Sequence, residues 1–111
     1  MIVVVALVGC GKKEPTQPSA TPSAFEETKA KAEAGDAKAQ NSLGFIYANG
    51  KGVEQNFVTG YAWWNIAATN GDQNAKKVLP QVAKTMTPEQ IAKAQELSKE
   101  MIKKNPKLLK K

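Results

Sequence analysis

The feature that most constrains this chain is an internal repeat. Ala32-x-x-Gly35-Asp36-x-x-Ala39-x-x-x-Leu43 recurs as Ala68-x-x-Gly71-Asp72-x-x-Ala75-x-x-x-Leu79, so that five positions coincide at an offset of 36. Periods of this length belong to helix-turn-helix arrays, in which each unit buries its apolar face only by stacking on a neighbour. The expected fold is therefore all-α, a short α-solenoid of helix-turn-helix repeats.

One unit can be read residue by residue. Gly35 ends a preceding helix, because glycine tolerates the left-handed backbone found there, and Asp36 caps the amide end of the next. Ala39, Leu43, Ile46 and Tyr47 then recur at helical spacing and form an apolar stripe. Gly44 beside that stripe removes a side chain and lets a second helix come close. Asn49-Gly50-Lys51-Gly52 is a turn cluster that stops the first helix. Asn56 caps the second, which carries Tyr61, Trp63, Trp64, Ile66, Ala67 and Ala68 before Gly71 closes it.

Leu43-Gly44, Tyr47, Gly50, Gly52-Val53, Trp63-Trp64, Ala67-Ala68 and Gly71 resemble the pattern of a Sel-one-like repeat, a relative of the tetratricopeptide repeat with a longer loop between its helices. The resemblance covers residues 32–75. Asn56 stands for the usual Asp, Gly60 for the usual Ala and Trp64 for the usual Tyr. Asn caps as well as Asp, whereas Gly60 is expected to cost about 1 kcal/mol of helix propensity. Repeats of this kind generally serve as interaction platforms, which the resemblance implies here.

The second copy is degraded. Pro80 follows Leu79 where the pattern wants Gly, the Gly-x-Gly loop never returns, and Pro80 is expected to kink or split its helix. Thr87-Pro88-Glu89-Gln90 is a strong helix start, with Thr as cap, Pro in the first helical position and Gln in the capping-box position. Ile91, Ala94, Leu97, Ser98, Met101 and Ile102 give that helix one apolar flank, suited to a terminal cap on the stack. With a helix over 24–34 in front, the expectation is five helices: about one and a half repeats plus a C-terminal capping helix, together spanning 24–104. The basic segment 105–111, NPKLLKK preceded by Lys103-Lys104, is expected to fray into solvent.

Ahead of the repeat lies an address. Ile2 to Val8 are wholly apolar and too few to span a bilayer, which needs about 20 residues. They suit the apolar stretch of a secretory signal. Leu7-Val8-Gly9-Cys10 resembles the bacterial lipobox, which implies cleavage between Gly9 and Cys10 and lipidation of the Cys10 thiol; two or three acyl chains anchor stably where one is marginal. The alternative is a short buried strand with Cys10 as a packed thiol. Met1 runs directly into the apolar stretch without the usual Lys or Arg, which suggests a start upstream of Met1. Gly11 is not the Asp that holds enteric lipoproteins in the inner membrane, so the expected location is a periplasm-facing anchor, with the outer membrane favoured. Residues 10–23, with Pro15, Pro18 and Pro22, read as a solvated tether.

Composition narrows the chemistry. The chain has no His and one Cys among its 111 residues. That removes Cys/His zinc sites, Ser-His-Asp and Cys-His nucleophilic catalysis, and internal disulfides. The net charge of +6 comes entirely from 16 lysines, with no Arg. Without Arg forks or a basic patch interleaved with aromatics, no nucleic-acid partner is expected. Gly50-x-Gly52 follows a helix and lacks the ending of a phosphate loop, so it reads as a turn. Glu26, Glu27 and Glu33 read as a solvated face. No enzyme activity, metal or cofactor is expected.

The expected function is an envelope lipoprotein whose helical module binds an unidentified envelope protein or peptide, with the membrane engaged through its lipid anchor. The alternative is lysine-mediated binding of an anionic envelope polymer or lipid. Partner contacts are sought opposite the buried stripe, since in tetratricopeptide-like stacks the first helix of each hairpin lines the concave surface. There lie Asn41 and Phe45, roughly 100° or more from the stripe's centre, with Lys38 beside them. Phe45 either contacts the partner or packs on the leading helix. Trp63 and Trp64 differ by about 100° on a helix and cannot fill one gap. Trp63, one turn from Ala67, is assigned to the core and Trp64 to a partly exposed position open to a partner.

Overall fold

The computed structural model describes residues 21–109; the expectations for the signal at 1–9, cleavage at Gly9, lipidation of Cys10, the tether as far as residue 20 and the last two lysines lie outside them. Within that range the helix ends follow the local chemistry closely. Asp36 accepts a hydrogen bond from Ala39 N at 3.2 Å, Asp72 from Ala75 N at 2.8 Å, and Asn56 from Thr59 N at 3.1 Å. Thr87 and Gln90 form a reciprocal capping box, with bonds of 3.1 and 2.9 Å. Each such cap satisfies backbone N–H groups that a helix leaves without partners.

Five α-helices result, with no strand among the described residues: α1 Thr21–Glu33, α2 Ala37–Asn49, α3 Phe57–Thr69, α4 Gln73–Ala83 and α5 Pro88–Lys104, followed by a 3₁₀ turn at Pro106–Leu108. The leading helix starts three residues earlier than its expected 24, because a proline in a first helical turn lacks only an N–H that has no intrahelical acceptor. Pro80 does not split α4, which continues to Ala83. The loop after α2 is lashed to it: Gln55 Nε2 donates to Ala48 O at 2.7 Å and Asn56 N to Tyr47 O at 2.8 Å.

α3 is the axis of the molecule. It packs against α2, α4 and α5, and it carries no charged residue. A helix without charge on any side is suited to burial along most of its length, and Gly60 to Trp64, Ile66 and Ala67 are buried. Its aromatic residues feed three separate clusters. Trp63 joins Ala32, Ala39, Leu43, Ile66 and Leu108. Trp64 joins Ala48, Ala67 and Ala75. Tyr61 joins Met86 and Ala94, with Leu79, Val82 and Ile91 packed around them. The adjacent tryptophans therefore fill gaps on different sides of one helix, and the expectation that Trp64 is partly exposed is corrected: it is 1% exposed, less than Trp63 at 5%.

α2 and α3 touch closely through two glycines. A Cβ on Gly60 would lie 2.8 Å from Gly44 O, and a Cβ on Gly44 would overlap the Trp64 indole. The helix-propensity cost of Gly60 is thus offset by an approach that Ala, the residue usual in such repeats, would obstruct.

The C-terminal helix covers α3 rather than the outer edge of α4. Its first half shares the third cluster with the end of α4, and Met101 and Ile102 reach the first cluster. Lys76, Lys77, Pro80 and Lys84 along α4 remain exposed.

The basic tail is also corrected. Residues 105–109 fold back onto the domain, and Leu108 is 2% exposed within the first cluster. Gln40, fully buried, holds it there. Gln40 Nε2 donates to Ala32 O and Leu108 O, both at 2.9 Å, and Gln40 Oε1 accepts from Asn70 Nδ2 at 2.8 Å. Asn70 Nδ2 also donates to Leu108 O at 2.7 Å, and Asn105 Nδ2 to Glu33 O at 3.1 Å. A segment whose main-chain carbonyl takes two amide donors, one of them fully buried, is part of the fold.

Candidate functional site

α2 and α4 both pack on α3, each turning an equivalent Ala and Leu inward: Ala39 and Leu43, Ala75 and Leu79. The sequence-expected contact residues fall on α2, with Trp64 on α3. Lys38 is exposed. Asn41 is half-buried, with Oδ1 buried and unpartnered by any hydrogen bond. Phe45 is 41% exposed; among the described residues the other large apolar side chain standing out of the surface is Phe57, which opens α3.

Phe25 of α1 meets Tyr47, edge to face, with ring centroids 6.1 Å apart. Phe45 lies edge-to-face on Trp64, centroids 5.0 Å apart and planes at 80°. An aromatic pair in this arrangement is attractive by about 0.5–1.5 kcal/mol beyond burial. Trp64 is therefore the floor under Phe45 and not itself a surface, and its Nε1 sits buried against Gly44 without a hydrogen-bond partner. The pair holds an apolar ring in a fixed pose where solvent alone would favour a polar side chain.

Between α1 and the start of α2, a shallow hollow of about 250 Å³ is lined by Thr28, Lys31, Asp36, Lys38, Ala39 and Ser42. It is open and polar, and small beside the ~300–1,000 Å³ clefts that enclose small molecules. Among the described residues no group of three or more Cys, His, Asp or Glu is placed to hold a metal ion, and no helix is long and apolar enough to cross a membrane.

Reasoning from sequence missed Gln40, Asn70, Asn105 and Leu108. Gln40 lies 68 residues from Leu108 and 30 from Asn70, so no local spacing announces the network. The one available hint was an uncharged amide inside an otherwise apolar helix face.

The fold is shared with a protein of solved structure. Over 80% of this chain, at 32% identity and a TM-score of 0.72, it is similar to c5321, a protective antigen present in uropathogenic Escherichia coli strains that displays an SLR fold. This chain has the Sel-one-like repeat fold. It spans 20% of the length of that antigen. No family model and no curated protein matches the sequence. Sel-one-like repeats are generally protein-interaction modules.

Proposed function

We propose that this chain is a non-enzymatic lipoprotein of the bacterial envelope, tethered through Cys10, whose Sel-one-like repeat domain binds another envelope protein through the face of α2 that carries Lys38, Asn41 and Phe45. The observation that carries the binding half is the exposed Phe45 ring seated on the buried Trp64 indole. A side chain held so costs no rotamer entropy when a partner covers it, which favours recognition over incidental exposure. The anchoring half is supported by sequence: the one Cys of the chain falls at the end of Leu7-Val8-Gly9-Cys10, and a Pro-, Ser- and Thr-rich stretch separates it from α1.

The test joins both halves. Full-length protein expressed with its native leader should fractionate with membranes and partition into detergent, and Cys10→Ala should release it unprocessed at Gly9. In crosslinked envelopes, Phe45→Ala should lose the captured partner while its melting temperature moves little. A free thiol on a mature secreted chain overturns the anchor. A loss of about 3 kcal/mol or more of stability in Phe45→Ala makes Phe45 core rather than contact.

A further inference from the structure

Charge is spread unevenly over the helices. α1 carries three Glu with two Lys, α5 three Glu with four Lys, α2 only Lys38, and α3 no charge. α4 and the residue that follows it hold Lys76, Lys77 and Lys84 and no Asp or Glu. All three lysines are exposed, and none of their ammonium groups has a partner among the described residues. α4 also sorts its side chains sharply. Ala75, Val78, Leu79 and Val82 pack inward on the clusters of Trp64 and Tyr61. At 100° per residue, Lys76, Pro80, Lys84 and Lys77 fall within an arc of about 100° on the opposite side. Lys84 belongs to that arc because it keeps a helical backbone, with φ of −65° and ψ of −24°. From Lys76 to Lys84 the face runs roughly 12 Å along the axis.

Resting on the reading of the chain as anchored through Cys10, we infer that this outer face of α4 lies against the anionic phospholipid surface that holds the anchor. Lysine is a mobile point charge that needs no planar, two-pronged acceptor, and a plane of phosphodiesters offers single charges. The hollow between α1 and α2 is lined by no residue of α4, so the lysines do not converge on that cavity. An isolated ion pair between exposed groups is weak. A surface potential instead acts on every ammonium group at once, by about fivefold in partitioning for each lysine near the lipid. That potential decays within ~8 Å, and the anchor supplies the nearness it requires. The ten residues between Cys10 and the start of α1 at Thr21 reach at most about 40 Å even when fully extended. The contact gives the anchored domain one preferred orientation on the membrane, which a tether alone does not.

The experiment is vesicle co-sedimentation of the full chain carrying Cys10→Ala, so that no acyl chain contributes. The vesicles hold phosphatidylcholine alone, or phosphatidylcholine and phosphatidylglycerol in equal parts. Phosphatidylglycerol should raise partitioning by about tenfold or more, and the gain should fade as salt rises. Lys76→Gln, Lys77→Gln and Lys84→Gln together should remove about tenfold or more of it. Lys93→Gln, Lys99→Gln and Lys103→Gln on α5 change the net charge equally and should leave binding within about threefold, since charges beyond a Debye length from the lipid are screened. All six positions are exposed and Gln is as good a helix former as Lys, so both triples should melt as the parent does. Equal binding to both kinds of vesicle, or equal losses in the two triples, overturns the inference. Polyglutamate that binds as tightly as the vesicles, and is lost in the α4 triple, overturns lipid as the occupant. Mass spectrometry of the natively expressed protein tests the anchor separately: an unmodified Cys10 overturns that reading, while phosphatidylglycerol binding through α4 still stands.

Discussion

The two Gly-Asp corners of this molecule begin alike and end differently. Gly35 and Gly71 take nearly the same left-handed backbone, with φ of 103° and 96°. Asp36 N and Asp72 N each donate at 3.0 Å to the carbonyl five residues back, on Lys31 and Ala67, and both aspartates cap the helix that follows. Beyond the corner the likeness stops. At the first, a Cβ on Gly35 would lie 2.7 Å from Lys107 O, because the C-terminal turn closes over it; at the second, nothing lies within 4 Å of Gly71. Ala32 and Leu43 are fully buried, whereas their counterparts Ala68 and Leu79 are only half-buried. Gln40 is a saturated buried amide, and Lys76 in the equivalent place is exposed. The lesson is that a corner motif dictates the turn and the cap, while burial depends on what arrives to cover them.

The largest test of that contrast removes the cover. Ending the chain at Lys104 deletes Leu108 and takes one acceptor from each of the amides of Gln40 and Asn70 in the first corner. The expected loss is about 4 kcal/mol or more, read by urea denaturation, with hydrogen exchange rising first at α1 and the start of α2. An unchanged denaturation midpoint would dismiss the turn as ornament on a finished core.

Next comes the pair Gln40 and Lys76. Gln40→Leu leaves Leu108 O and Asn70 with fewer partners and should cost about 2–3 kcal/mol. Lys76→Leu, on the uncovered edge, should stay within about 0.5 kcal/mol. Equal effects at the two sites would erase the distinction.

A third comparison sets Gly44 against Pro80, again equivalent positions. Gly44→Ala drives a methyl into the Trp64 indole and should destabilise by about 1–3 kcal/mol, with the tryptophan fluorescence shifting as the ring moves. Pro80→Ala restores a backbone donor on an exposed edge and should raise the melting temperature, by on the order of 1 kcal/mol in stability. Destabilisation in both would mean that α4 is packed as tightly as α2.

The smallest effect is where the corners should agree. Asp36→Ala and Asp72→Ala each remove one N-cap and should each cost about 1 kcal/mol, measured as a fall in denaturation midpoint. A much larger loss at Asp36 would show that even the cap depends on the covering turn.

Within the candidate site, the face on which Phe45 lies was legible, because helical spacing from Ala39, Leu43 and Ile46 fixes angles around one axis. What supports Phe45 was not. Trp64 was expected to be partly exposed on the argument that neighbouring tryptophans cannot fill one gap; the premise holds, but α3 has gaps on several sides. The tail shows the same limit. A run of lysines around Leu108 resembles a fraying end, and only the placement of Ala32, Leu43 and Ile66 in one hollow makes Leu108 a core residue.

From sequence alone came the period of 36, the helix starts at Asp36, Asn56, Asp72 and Thr87, and the close-packing glycine Gly44. The helix starts depend on interactions within a few residues, whose energies do not wait for the rest of the chain, while the period and Gly44 are read directly from the residue pattern. The tertiary structure alone decided which side of α3 each tryptophan fills, why Gly60 replaces a better helix former, and how Gln40 and Asn70 hold Leu108. Those outcomes rest on contacts between residues tens of positions apart, where burial and unsatisfied amides are shared among elements that no local pattern brings together.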